Sequence, residues 1–319
     1  MKTVFVTGGC GFIGSHFIDL LLSAGYKVVN YDMMTYASNW NYCNLNNENY
    51  KFECKDISEI NDIPYCDYIV HMAACSHVDR SINDSYPFIK NNVLGTYNLL
   101  EILRKKKIDH LMMGWEYKEP IFVYIGTDEI YGDIGEGFFK EEAKQKPSNP
   151  YSASKAAAEM LVMAWGRTYG MPYRITRTTN NYGPRQHPEK LIPMCITKCL
   201  ENQKITIQGT GEYVRNWIHV KDNCCAILNV MEKGKNGEIY NISSDEEYSV
   251  IQIAKMVLDE FEKEWNGNVE FVQNRSGQDF RYGINCDKIK KELGWMQKRS
   301  LKSSLKEMIG YYEKFLQRK

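Results

Sequence analysis

Several things are missing from this sequence of 319 residues, and each absence narrows what the chain can do. Net charge is one: 40 Lys+Arg balance 40 Asp+Glu, so no basic surface points to nucleic acid and no acidic tail points to a solvating segment. No apolar run near the start has the length of a signal peptide or a membrane span, because "MKTVFVTGG" enters a short strand at once. The expectation is a soluble, cytoplasmic protein with no membrane partner. The six histidines form no HxxxH or similar ligand pair, so no metal is expected. Cysteine is plentiful at ten, but no CxxC spacing repeats. The only close groupings, Cys195 with Cys199 and Cys224 with Cys225, read as buried reduced thiols. Internal repeats and low-complexity tracts are also absent. What remains is a chain long enough for one large domain and a smaller one, with a small molecule as its partner.

The first half alternates two kinds of pattern. Apolar runs such as "TVFVTGG", "KVVNYD", "DYIVHMAA" and "IFVYIGT" have the length and residue types of strands, whereas "HFIDLLLSAG" and "NNVLGTYNLLEILRKK" read as helices. Strand and helix in repetition predict an α/β fold, a doubly wound parallel sheet covered on both faces. Ligands of such sheets sit at the carboxyl ends of the strands. "RKKK" at 104–107 reads as the solvated end of a helix, and 110–120 as a loop carrying exposed Met and Trp.

Three groups of residues carry chemistry. "GGCGFIGS" spaces Gly8, Gly11 and Gly14 by threes, directly after a strand and at the opening of a helix. Glycines there let the backbone approach a pyrophosphate, which the unpaired N–H groups of the helix end attract. Asp32 closes the next strand at the distance where an acid bonds the adenosine ribose hydroxyls; its charge repels a 2′-phosphate, so NAD is expected rather than NADP. In "YSASK", Tyr151 and Lys155 stand four apart on one helix face, where the ammonium is expected to lower the phenol's pKa. A phenolate beside a nicotinamide can take a proton from an alcohol as its carbon is oxidised. Finally, "GTDEIYG" places Asp128 beside Glu129 at a strand end. Taken alone, such a pair could merely cap a turn.

Gly8, Gly11 and Gly14 with Tyr151-x-x-x-Lys155 resemble the extended short-chain dehydrogenase/reductase family. "TDEIYG", "SHVDRSI", "PYSASKAAAEMLVMAW", "NNYGPRQHPEKLIP" and "VRNWIHVKD" resemble, within it, the nucleotide-sugar 4,6-dehydratases that act on dTDP-glucose or UDP-glucose. The similarity covers nearly the whole chain and is densest from 121 to 222. It implies a Rossmann domain over 1–180 and 217–243, a smaller α/β nucleotide-sugar domain over 181–216 and 244–319, and a homodimer built on helices at 92–103 and 152–169. It also implies a reaction, as in rhamnose-type deoxysugar synthesis: oxidation at C4, loss of water across C5 and C6, and hydride return to C6.

The resemblance assigns residues as well. Thr127 bonds near O4, Asp128 is the acid at O6, Glu129 is the base at C5, and Tyr151 and Lys155 serve the oxidation. Gly8, Gly11, Phe12, Ile13 and Gly14 are assigned to NAD, as are Asp32, Thr35, Ser38, Asp56, Ile57, Ala73, Ala74 and Ser76. The sugar nucleotide is assigned Ser76, Asn180, Glu189, Lys190 and the Leu191 amide, with Gln208 at the base. Arg215 and Arg275 are assigned to its diphosphate, with Asn216 and Gln278 beside them. Two positions depart from the family pattern: Cys75 stands where Glu or Gln is usual, and Gly126 where Ser is usual. Gln208 replaces the usual aromatic or His, and "NRSGQD" is nearer the UDP-glucose enzymes, so either nucleotide stays open. A C4 epimerase of the same fold and a non-catalytic NAD-binding regulator are the rival readings; the epimerase has no need of an acid beside a base after Thr127.

Overall fold

The computed structural model describes residues 1–317. Its centre is a seven-stranded sheet in which every neighbouring pair is parallel, ordered β10-β6-β5-β4-β1-β2-β3. The strands are β1 (Thr3–Thr7), β2 (Lys27–Asp32), β3 (Tyr50–Cys54), β4 (Tyr68–His71), β5 (Ile121–Thr127), β6 (Tyr173–Thr178) and β10 (Glu238–Ile242). Val4, Phe5, Val6, Ile69, Val70, Phe122 and Val123 are fully buried. Strands covered on both faces need unbroken apolar runs, and the sequence supplies them.

Helices α1 (Phe12–Ser23), α2 (Val78–Asn83), the single turn α3 (Tyr86–Phe88), α4 (Gly95–Met112) and α5 (Pro150–Tyr169) connect these strands, with a π-helical segment at Ile89–Leu94 leading into α4. After β3 the chain crosses to the other side of β1 and the strand order reverses, so β1 and β4 lie side by side while their crossovers leave in opposite directions. A crevice opens there, at the carboxyl ends.

The second layer holds β7 (Asn180–Tyr182), β9 (Val214–His219) and β11 (Glu247–Ser249) in one small sheet, and β8 (Ile205–Gln208) with β12 (Val269–Val272) in another. Helices α6 (Leu191–Leu200), α8 (Val250–Glu260) and α10 (Leu301–Leu316) share a core with them. Cys195 and Cys199 belong to that core as apolar fillers. Helix α7 (Val220–Lys233) packs on α1 against the large sheet.

Three expectations change. Helix α4 runs on to Met112, so 104–107 is mid-helix; Ile108 and Leu111 continue it. Three of its four cations have partners: Arg104 bonds Glu101, Lys106 pairs with Asp62 at 2.7 Å, and Lys107 with Glu119 at 2.9 Å. The dimer helix expected at 92–103 is helical throughout but extends past both ends, through the π-helical segment from Ile89 and through α4 to Met112. Residues 286–295, assigned above to the smaller domain, pack instead in the core of the large sheet through Cys286, Ile289 and Trp295, with α9 (Asp287–Leu293) against β10. Lys288 of α9 donates to the Glu238 carboxylate and the Ile239 carbonyl of β10 at 2.6 and 2.7 Å, and Trp295 Nε1 donates to the Asp222 carbonyl at 3.1 Å.

Candidate active site

The turn after β1 is shaped by close approaches that only glycine permits. Gly8 has φ +76°, and a Cβ on it would lie 2.7 Å from the Ala73 backbone at the end of β4. A Cβ on Gly14 would lie 2.3 Å from the Gly8 carbonyl, so α1 could not pack as closely on the turn. Gly11 caps α1 in extended conformation with no side-chain cap, leaving the first helical N–H groups aimed at the crevice. Strand β2 ties the turn down: Asn30 Oδ1 accepts from Gly9 N at 2.9 Å, and Asp32 Oδ2 from Cys10 N at 2.9 Å. The other Asp32 oxygen accepts from Met34 N and the Ser38 hydroxyl at 2.8 and 2.9 Å. Cleft, bare helix end and terminal acid together fit an adenine dinucleotide.

Helix α5 begins where Asn149 and Ser152 form a reciprocal capping box and Pro150 presets the first turn. That start sends Tyr151 and Lys155 into the crevice, 8 % and 5 % exposed. Lys155 Nζ donates to the Ile125 carbonyl at 2.7 Å and lies 4.3 Å from the Tyr124 ring centre. Burial pushes Lys155 down to about 7, opposed by Glu159. Tyr151 is driven well above the ordinary phenol value, first by burial and then by the Glu129 charge, against the Thr127 hydroxyl that bonds it. Burial thus opposes the lowering of the phenol expected from Lys155. The ammonium is turned toward β5.

Asp128 and Glu129 open a one-turn 3-10 helix (Asp128–Tyr131) at the end of β5, capped by Thr127 Oγ1, which accepts from Glu129 N at 3.3 Å. Asp128 is buried; Glu129 is half-buried. Asp128 Oδ2 and Glu129 Oε2 are both shielded from solvent without a hydrogen-bond partner among the described residues. Unpaired buried carboxylate oxygens are costly, so the arrangement points to a ligand that completes them. Burial raises Asp128 to about 7, aided by the Glu129 charge and opposed by Thr179, Arg215 and Thr127. Glu129 is also raised by burial, but Arg215, Arg275 and Lys190 oppose it. Burial thus raises both acids, while the nearby cations resist the rise at Glu129.

Most cofactor candidates line one cleft with these acids: Gly8, Gly11, Phe12, Ile13 and Gly14, then Asp32, Thr35, Ser38 and Ile57, then Ala73, Ala74 and Ser76. Asp56 does not. Its carboxylate accepts from Ser58 N at 2.9 Å and pairs with Lys90 at 3.1 Å, beside a neighbouring groove. Cys75 lines the cleft, and its backbone is held at both ends by the Asn92 amide, at 2.8 and 3.0 Å, so the loop keeps its place without the usual longer side chain.

Of the substrate candidates, Asn180, Glu189 and Lys190 share the cleft, with Lys190 Nζ on the Ser76 carbonyl at 3.1 Å. Leu191 begins α6 just beyond. The Arg215 guanidinium holds the carbonyls of Val214, Asp279 and Phe280 at 2.7 to 3.0 Å, which fixes the 279–282 strap rather than facing the cleft lining. Asn216 donates to the Ser244 carbonyl, and Gln278 bonds Arg275 and the Asp279 carbonyl. Gln208 stands exposed at the end of β8, within 3.4 Å of Asp79.

Sequence reasoning missed the bridge across the cleft mouth. Tyr36 and Arg80 reach Glu189 at 3.0 and 3.4 Å, with the Arg80 guanidinium 3.7 Å over the Tyr36 ring, and Asp79 reaches Arg275 at 2.9 Å. Only "SHVDRSI" hinted at it, through a strap carrying alternating charges.

The sequence model of the GDP-mannose 4,6 dehydratase family matches residues 5–308. The chain is 38% identical over 333 residues to the dTDP-glucose 4,6-dehydratase of Haemophilus influenzae, an alignment covering 98% of each protein. It is 42% identical over 316 residues to the low-salt glycan biosynthesis protein Agl12 of Haloferax volcanii, covering 97% of this chain and 98% of that one. Its fold matches the crystal structure of DesIV, a dTDP-glucose 4,6-dehydratase from Streptomyces venezuelae with NAD and TYD bound, with a TM-score of 0.89 and 36% identity over 98% of this chain and 97% of that one.

Proposed function

The chain belongs to the GDP-mannose 4,6-dehydratase family, and from that premise we propose that it is an NAD-dependent hydro-lyase converting a nucleoside-diphospho-glucose to the 4-keto-6-deoxy sugar and water. The observation that carries the reading is the adjacent pair Asp128 and Glu129, whose buried, unpartnered oxygens face the same cleft as Tyr151 and the glycine turn. A C4 epimerase would have no use for two carboxyls of opposed role at this place.

NAD, held by Gly8, Gly11, Gly14 and Asp32, supplies the oxidising power at C4 and its return at C6. The chain's own residues move the protons. Tyr151, bonded to Thr127, is placed to receive the proton of the C4 hydroxyl as the phenolate, a form that positive charge from Lys155 and bound NAD would have to favour against the burial that raises the phenol. A ketone at C4 acidifies C5, whose proton passes to the Glu129 carboxylate. The C6 hydroxyl leaves with the proton of Asp128, which a folded-state pKa of about 7 keeps available near neutrality. Lys190 and Arg275, both close enough to influence Glu129, favour its charged form and frame the diphosphate.

The nucleotide is read as dTDP first, following the relatives' names, with UDP as the second candidate. Residues 1–180 with 217–243 serve the cofactor, and 181–216 with 244–319, less the 286–295 segment, serve the nucleotide sugar. The protein is read as a cytoplasmic homodimer associating through α4 and α5, where Leu94, Tyr97 and Met160 stand exposed at 46%, 44% and 46%. Separate incubation with dTDP-glucose and UDP-glucose tests the reading, with alkali-developed absorbance reporting the 4-keto product. Absence of that product from both, or appearance of a galactose nucleotide, overturns it.

A further inference from the structure

Behind the cleft lies a buried ion pair that none of these steps employs. Glu159 on α5 and Arg177 on β6 have side chains 0% and 3% exposed. Arg177 Nε stands 3.2 Å from both Glu159 oxygens, its NH2 group is 2.6 Å from Oε1, and Gln145 adds a third donor at 2.7 Å. The opposite edge of the guanidinium reaches Tyr131 and the Glu141 backbone. NH1 donates to the Tyr131 hydroxyl at 2.5 Å and the Glu141 carbonyl at 2.9 Å, and the group lies 4.7 Å from the Tyr131 ring centre. Tyr131 ends the same one-turn helix that Asp128 and Glu129 begin, and its hydroxyl continues to Asn241 Oδ1 at 2.9 Å.

Glu159 stands one helical turn beyond Lys155 and two beyond Tyr151, on the same face. The pair therefore joins the helix that carries phenol and ammonium to the turn that carries the two acids. Gly126, directly across from Arg177 in the β5–β6 register, leaves room: a Cβ there would lie 2.6 Å from the Thr176 carbonyl and 3.3 Å from Glu159 Oε2.

Stability alone does not account for such a pair, because desolvation offsets much of its attraction and apolar replacements of similar volume often match it. Geometry is what a planar guanidinium adds, since it fixes several partners in one plane. Displacing reacting groups by about 1 Å can cost about a hundredfold in rate.

We propose that Glu159 and Arg177 are a positioning couple, fixing the spacing between Tyr151 with Lys155 and Asp128 with Glu129 so that the alcohol oxidised by one set is dehydrated by the other. The inference rests on the reaction proposed above.

The test uses the full chain carrying Glu159→Gln, Arg177→Met, the two together, and Arg177→Lys. Each of the first two leaves a buried group uncompensated and lowers Tm. The double variant regains most of that Tm, yet its kcat stays at least about tenfold low while KM moves by less than about twofold. It also releases 4-keto sugar still bearing its C6 hydroxyl, at most one equivalent per bound NAD because that cofactor is left reduced, seen by mass. Arg177→Lys keeps the charge without the fork and shows the same split between kcat and KM. Hydrogen exchange over 126–132 is about tenfold faster in the double variant, with α5 unchanged. Wild-type kcat in the double variant, or wild-type exchange over that turn, overturns the couple. Failure of the wild-type chain to form any 4-keto product instead sinks the functional reading, and the exchange comparison still decides the couple.

Discussion

Asp79 and Arg275 meet across the mouth of the cleft, Oδ1 to NH1 at 2.9 Å, although 196 positions separate them in sequence. The arginine is the one expected to hold a diphosphate, so a carboxylate of the protein already occupies the charge it offers. The pair is partly exposed, Asp79 at 34% and Arg275 at 27%, which limits its worth to about 1 kcal/mol. Replacing Asp79 by Asn should therefore tighten binding of dTDP or UDP by up to about fivefold, measured calorimetrically. Weaker binding would instead make Asp79 part of the nucleotide site.

Glu129→Gln removes the C5 base while keeping shape. Nucleotide-glucose binding should persist within a few-fold, while formation of the 6-deoxy product falls by about 10² to 10⁴. Bound material should stop as the 4-keto sugar with its C6 hydroxyl in place, detected by mass after quenching. Rapid release of normal product would remove Glu129 from its role.

The raised Asp128 sets a pH dependence of known sign. Its folded value of about 7 exceeds the ordinary 3.8, so the folded state holds an extra proton between those limits. The associated stabilisation is complete below about pH 4 and is lost as pH rises toward 7, at about 1.4 kcal/mol for each pH unit crossed. Turnover should likewise fall as pH climbs through about 7, because the acid at O6 is then ionised. Asp128→Asn should flatten the change of urea midpoint over pH 5 to 7 relative to the wild type. Identical slopes in both proteins would refute the assignment.

Gly126→Ser places a Cβ against the Thr176 carbonyl and the Glu159 carboxylate. Overpacking of this kind costs about 1–3 kcal/mol. A thermal melt should show the loss, because the nearer obstacle is the Thr176 backbone carbonyl, which cannot swing away. No loss from the single change would mean that β5 shifts freely.

Gly8→Ala should weaken NAD binding and lower Tm together, because the positive φ and the 2.7 Å approach to Ala73 are both incompatible with a side chain. Equilibrium dialysis with NAD and a thermal melt would check it. Gly25→Ala serves as the control: its φ is also positive, at +81°, but nothing lies within 4 Å of a Cβ there.

Much of this protein was legible in one dimension because the determining interactions are local. Apolar runs of strand length, the glycine spacing at 8, 11 and 14, and the fourfold spacing of Tyr151 and Lys155 are set by neighbours on the chain. From them come the doubly wound sheet, the cofactor turn and the acid pair at a strand end. Tertiary structure alone decided what depends on distant partners. Burial, which no short window reports, opposes the lowering of Tyr151 and raises Asp128 and Glu129 together. Contacts between segments far apart in sequence turned Arg215 toward backbone carbonyls, drew 286–295 onto the large sheet, paired Asp79 with Arg275, and joined Glu159 through Arg177 to Tyr131. Charge and hydrogen bonding act through space, so their outcome is fixed only once the chain has folded.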